Sequence, residues 1–200
     1  DLSSTNLTNA CCARTLFQSK DNKLEKLLLR QTTLDFNLSF LANFNSLTTL
    51  DLDSCLKVVN SNEDLFKNMH NLKKLILRNL SLNEYSFNML FNKLHNMSKL
   101  EYLDLSFNQF SIINIYSNTI KYIDLSNNLR LESFWGQNKT YTSIDLSHNS
   151  LVAFDPNPYK VNTLNLSHNK LTTFKIFSTV WNKQKLDLSC NEITQIVGSE

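Results

Sequence analysis

Apolar residues recur along this chain in a spacing that no single helix or strand produces. The order L-x-x-L-x-L-x-x-N-x-L fits "LEYLDLSFNQF" (Leu100–Phe110), "YTSIDLSHNSL" (Tyr141–Leu151), "VNTLNLSHNKL" (Val161–Leu171) and "KQKLDLSCNEI" (Lys183–Ile193). It fits "IKYIDLSNNLRL" (Ile120–Leu131) with one added residue. Weaker copies keep the phase upstream: "LEKLLLRQTTL" from Leu24, "LTTLDLDSCLKV" from Leu47 and "LKKLILRNLSL" from Leu72, after a truncated "DLSSTNL" at the start. These make about nine units, with starts roughly 20–28 residues apart, the spacing of a stacked repeat.

The template has a physical reading. Alternation at positions 4 and 6 puts two leucines on one face of a short strand, so Leu103 and Leu105 point inward while Tyr102, Asp104 and Ser106 point outward. Position 9 falls where the chain leaves the strand. An asparagine there can pair with backbone groups that would otherwise be buried without partners. Stacked copies predict a ladder of Asn108, Asn128, Asn149, Asn169 and Asn191. Upstream the same place holds Thr5, Thr32, Cys55 and Leu80. Leucine cannot pair at all, which predicts a local irregularity around Leu80.

Further along each unit an apolar pair recurs near positions 11 and 14: Leu151/Phe154, Leu171/Phe174 and Ile193/Ile196. These are expected to fill the core on the return path. The unit "LSLNEYSFNMLFNKLHNMSKL" has room for a short helix, whereas those beginning at Ile120, Tyr141 and Val161 allow little beyond an extended or 3₁₀ return. One unit cannot bury its own apolar face, so stability must come from stacking.

Composition narrows the function. Lys+Arg 20 against Asp+Glu 18 leaves a net charge of +2, without the basic bias of a nucleic-acid binder or membrane-surface protein. No apolar run approaches a membrane span. Two glycines and two prolines are few for so many turns, and the abundant asparagine is expected to serve the left-handed bends instead. The opening residues read like the middle of a repeat, so residues 1–200 are expected to be one repeat domain, a fragment lacking both caps.

The phrases "LDLSFNQF", "IDLSHNSL" and "LNLSHNKLTTF" resemble the extracellular leucine-rich repeat superfamily, over almost the whole chain. Within it the sequence is similar to Toll and Toll-like receptor ectodomains and to secreted insect immune repeat proteins. The resemblance implies an α/β leucine-rich repeat solenoid, with a curved parallel β-sheet on the concave face and short helices, 3₁₀ turns and loops on the convex face. It also implies extracellular protein recognition in innate immune or developmental signalling. The alternative is a secreted scaffold that assembles with other immune factors. Expected partners are a protein ligand or co-receptor and homo- or hetero-oligomers, not nucleic acid, with no membrane contact from this segment. Six sequons, at Asn6, Asn37, Asn79, Asn96, Asn138 and Asn165, agree with an extracellular glycoprotein. The cysteines are Cys11, Cys12, Cys55 and Cys190; Cys55 is expected as a buried thiol in the ladder, and their pairing is not readable from spacing.

Enzymatic chemistry has little to stand on. With Gly136 and Gly198 alone there is no phosphate-binding loop, and no H-E-x-x-H or C-x-x-C occurs. Asp104, Asp124, Asp145 and Asp187 share position 5, but they belong to the repeated "DLS" phrase and read as scaffold. His148, His168 and Cys190 share position 8 in successive units. A row matches tetrahedral zinc geometry poorly, so they read as solvated side chains or a pH-sensitive pair, and no metal or cofactor is expected. Position 7 runs Arg30, Asp53, Arg78, a predicted cross-strand charge ladder beside exposed Leu28 and Ile76. Arginine and aromatic residues favour binding hot spots, which makes Arg78, Tyr102, Asp104, Phe107, Tyr122 and Asp124 the candidate ligand-binding site. Core exposed at the ends, at Leu2, Leu7, Leu186, Leu188 and Ile193, offers end-to-end association as a second route.

Overall fold

The computed structural model describes residues 6–7, 23–34, 44–55, 66, 68–91, 97–137, 140–156, 159–177 and 185–199. The chain divides into two compact units, Asp1–Asp104 and Leu105–Glu200. Thr5, Cys11, Cys12, Asn37, Asn96, Asn138 and Leu2 lie outside the described residues.

In the first unit, β1 (Asn6–Leu7), β2 (Lys26–Leu28), β3 (Thr33–Leu34), β4 (Thr49–Asp51) and β5 (Lys74–Ile76) precede a helix α1 (Glu84–Phe91) and β6 (Tyr102–Asp104). Strands β2, β4, β5 and β6 pair in parallel and in repeat register, Leu27 with Leu50, Leu50 with Leu75 and Leu75 with Leu103. β1 pairs in parallel with β3. The longer unit does house a helix. Asn83 caps it, its Oδ1 accepting from the Ser86 amide at 3.0 Å while Ser86 Oγ accepts from the Asn83 amide at 3.0 Å. Phe87 turns into the core and Tyr85 outward.

In the second unit the strands are β7 (Ile112–Ile115), β8 (Tyr122–Asp124), β9 (Ser133–Gly136), β10 (Thr140–Asp145), β11 (Lys160–Asn165), β12 (Thr173–Phe177), β13 (Lys185–Asp187) and β14 (Gln195–Ser199). Strands β8, β10, β11 and β13 pair in parallel, each Asp or Asn at position 5 opposite the next: Asp124, Asp145, Asn165, Asp187. β7 pairs with β9, and β12 with β14, as extended return segments. The architecture is thus the expected parallel-strand repeat solenoid, with the position 4 and 6 leucines buried throughout the described units up to Leu166.

Asparagine side chains from Asn128 to Asn191 bond adjacent turns, while Asn108 donates to the Leu105 and Ser106 carbonyls of its own turn. Asn149 Nδ2 donates to the Leu146 carbonyl of its own turn at 2.8 Å and to the Leu125 carbonyl of the preceding turn at 3.0 Å. Its Oδ1 accepts from the Asn128 amide at 2.7 Å. Asn128, Asn169 and Asn191 repeat the double donation. Cys55 takes the same place in the first unit, its thiol donating to the Leu29 carbonyl one turn back. The Thr32 hydroxyl donates to the Arg30 carbonyl of its own turn.

The left-handed bends fall elsewhere than the abundance of asparagine implied. Position 8 carries positive φ in every described turn: Gln31, Ser54, Asn79, Phe107, Asn127, His148, His168 and Cys190, all between 52° and 58°. Only two of these are asparagine, and no glycine has positive φ. For a bulky side chain such as Phe107 this conformation costs about 1–3 kcal/mol. The amide it orients offsets that cost by bonding to the next turn: His148 N donates to the Ser167 carbonyl at 3.0 Å, and His168 N to the Ser189 carbonyl at 2.9 Å. A further positive φ occurs at Ser81, 56°, directly after Leu80. The irregularity expected at the turn without a ladder side chain is this extra left-handed residue.

Three expectations need correction. Ile76 is buried, because neighbouring side chains cover position 5 on β5. Asp104 is buried too, though it lies on the outward side of β6. Ile196 is 59% exposed and fills no core, since no strand lies beyond β14 among the described residues.

Gly136 answers to packing, not to turn conformation. A Cβ there would clash with Tyr141 Oη and lie 3.2 Å from Phe134 Cζ. Its amide donates to Tyr159 Oη at 3.0 Å, and Tyr159 gathers Phe134, Tyr141 and Phe154 within 6.1 Å centroid to centroid.

Two substitutions test this account. Asn149→Ala should destabilise the chain by about 3 kcal/mol, one net contribution per lost hydrogen bond, read by urea unfolding. Gly136→Ala should cost about 1–3 kcal/mol by overpacking, with part recovered in a Tyr141→Phe background that removes the clashing oxygen; equal losses in both backgrounds would refute the contact.

Candidate functional site

The outward positions of the strands and turns form the candidate site, and its chemistry starts from what the fold already uses. In "DLS" the aspartate braces its own turn. Asp124 Oδ1 accepts from the Ser126 amide at 3.0 Å and its hydroxyl at 2.7 Å. Asp145 with Ser147, Asn165 with Ser167 and Asp187 with Ser189 repeat the pair. The bonds from Ser189 hold the exposed Asp187 carboxyl below its usual range, with a smaller pull from His168. Asp51 does the same job with the Asp53 amide at 3.0 Å. The acidic column is scaffold chemistry.

The position 7 charge ladder is replaced by a diagonal pair. Arg30 Nε meets Asp51 Oδ2 at 2.6 Å, two positions before Asp53. Asp51 is wholly buried and sits closer to the guanidinium path, so it takes the arginine first.

The six candidate residues divide between the units. In the first, Tyr102 and Asp104 share a face of β6, with Arg78 half-buried in the turn after β5. Lys74 Nζ stands 4.2 Å from the Tyr102 ring centroid, so that ring already carries a cation. Asp104, being buried, presents little to a ligand. In the second, Tyr122 and Asp124 share a face of β8, and Phe107 lies in a turn. Phe107 is 43% and Tyr122 38% exposed. They occupy opposite ends of the repeat, positions 8 and 3, so they are not one contact cluster.

The sequence reading missed how position 8 behaves. Its left-handed backbone lines up Phe107, Asn127, His148, His168 and Cys190 as one column in the second unit, by strand register. Within it the His148 and His168 rings stack at 4.1 Å and 10° from parallel. Outside the strand faces, Ile112, Tyr116 and Trp135 are exposed on and beside β7 and β9. Leu186, Leu188 and Ile193 are half-buried at the last described turn.

Two described sequons sit on these surfaces. Asn79 is exposed, with Nδ2 donating to Ser54 Oγ at 3.0 Å. Asn165 is half-buried on β11, with Nδ2 donating to Asp145 Oδ2 at 3.2 Å. Asn6 begins β1.

Comparison with known proteins agrees with this geometry. The Leucine Rich Repeat family model matches residues 99–118. No curated protein matches the chain in sequence. A functional domain of InlJ from Listeria monocytogenes, described as including a cysteine ladder, is similar at TM-score 0.66 and 20% identity, over 96% of this chain and 40% of that one. The LRIM1/APL1C complex gives 0.61 and 21%, over 85% and 31%. The APL1 leucine-rich repeat domain gives 0.59 and 23%, over 85% and 44%. The chain therefore spans less than half the length of each of these proteins.

The fold is that of a leucine-rich repeat protein. Within that class the chain is similar in fold to the LRIM1/APL1C complex and to the APL1 leucine-rich repeat domain.

The two described thiols differ in setting. Burial pushes the Cys55 thiol up to about 11, while Cys190 is exposed in the turn after β13. Native protein treated with iodoacetamide at neutral pH should therefore label Cys190 and spare Cys55 until denaturant is added. Peptide mapping that found Cys55 modified in the folded state would contradict its place in the ladder.

Proposed function

We propose that the chain is an extracellular protein-recognition module of an innate immune or developmental signalling protein. It works as part of one repeat domain, binding a protein ligand or co-receptor through its outward side chains. The observation that supports this best is a division of positions. The leucines at 4 and 6, the ladder residue at 9 and the Asp–Ser pair at 5 and 7 are taken up by the scaffold. Positions 3 and 8 instead vary from turn to turn: Tyr122, Ser143, Thr163 and Lys185 at one, Phe107 to Cys190 at the other. A rigid backbone displaying varied exposed side chains is suited to protein recognition.

On this reading Arg78, Tyr102 and Asp104 are the contacts of the first unit and Phe107, Tyr122 and Asp124 those of the second. The carboxylates are engaged in bracing turns, which favours a binding module over an enzyme. A secreted scaffold that assembles with immune partners uses the same surface. The LRIM1/APL1C structure, similar in fold, is of a complex, which keeps that second reading in view. Among the described residues no helix is long and apolar enough to cross a membrane.

The test is site-resolved glycopeptide mass spectrometry on protein secreted from animal cells. Sugar is expected first at the exposed Asn79. Sugar at Asn165 as well would take the β11 face out of contact and leave the β8 face as the binding surface. Bare asparagine at all six sequons would overturn the extracellular reading.

A further inference from the structure

The turns after β10 and β11 bring His148 and His168 to equivalent places on neighbouring strands. Their backbones share one conformation, φ 55° and 54°, so both side chains leave the turn in the same direction. Register carries the match, since Asp145 pairs with Asn165 three residues before each histidine. The rings lie 4.1 Å apart and 10° from parallel, and both residues are exposed. Among the described residues neither imidazole makes a hydrogen bond, which leaves ring nitrogens of both open to solvent.

We propose that His148 and His168 form a two-point chelating site for a divalent late first-row metal ion, of the Cu²⁺, Ni²⁺ or Zn²⁺ class. Imidazole suits these ions, and affinity should follow the order in which Cu²⁺ exceeds Ni²⁺. Metal–nitrogen bonds of about 2.0–2.1 Å at bond angles near 90–110° bring two donor nitrogens to about 3 Å. The donor lone pairs lie in the ring planes, so the two rings must swing out of the parallel stack, by side-chain rotation on a fixed backbone, until one nitrogen of each points at the ion. Cys190 stands in the same column, but its strand is about two 4.8 Å steps from that of His148, too far for one ion to bridge all three. Among the described residues no group of three His, Cys, Asp or Glu side chains surrounds a common point. Solvent or a second protein would complete the coordination shell.

The experiment is equilibrium titration of the full, untagged chain with Cu²⁺ alone, followed by electron paramagnetic resonance. His148→Asn and His168→Asn are the informative variants, because asparagine tolerates the left-handed backbone and keeps the turn intact. Each should weaken binding on the order of a hundredfold, the loss expected when a chelate becomes a single ligand. The wild-type spectrum should show two equivalent nitrogens and each variant one. His70→Asn and Cys190→Ser should leave the affinity unchanged. Undiminished binding in His148→Asn and His168→Asn would overturn the site, and so would a comparable loss in Cys190→Ser, which would replace this donor pair with another.

Discussion

Everything in this molecule depends on satisfying the backbone where each short strand ends. Three residues of strand bury two leucines, but the chain must then turn inside the stack, away from water, with its amides and carbonyls still to be paired. The side chain at position 9 does this by bonding two turns at once. Asn149 donates to carbonyls of its own turn and the preceding one, and accepts an amide from the latter. Core leucines supply the driving force for stacking, but this ladder makes their burial affordable and sets the register in which it happens.

The ladder in turn explains why position 8 tolerates a strained backbone. A left-handed residue there aims its amide at the following turn, so each turn hands one hydrogen bond forward from position 8 and receives others at position 9. Phenylalanine, histidine and glutamine occupy this conformation without glycine's help. A side chain held at such a place is both exposed and fixed in direction. That combination is what a recognition surface requires, and it brings two imidazoles into a stack.

The first unit shows how far the arrangement can be loosened. The threonine hydroxyl at 32 bonds to its own turn, the cysteine thiol at 55 still reaches back one turn, and at 80 the buried side chain is an apolar leucine. The backbone answers the last with an added left-handed residue at Ser81. Burial that raises the Cys55 thiol to about 11 also keeps it protonated, which is the form that can donate. Function and stability share residues only lightly here: the turn-bracing aspartates are occupied, while Tyr122 and Phe107 remain exposed.

The amino-acid order alone determined the repeat, the strand phase, the inward leucines, the asparagine ladder and the place of the helix. These follow from local periodicity and from hydrogen-bonding capacity, both of which belong to the residue itself. Only the tertiary structure decided that Arg30 takes Asp51 over Asp53, that Ile76 and Asp104 are covered, and that position 8 is left-handed throughout. Each of these depends on what a neighbouring turn, some twenty or more residues away, places beside the residue in question. The same holds for His148 and His168. The letters put them in one column, but only stacked turns with matching φ bring their rings face to face.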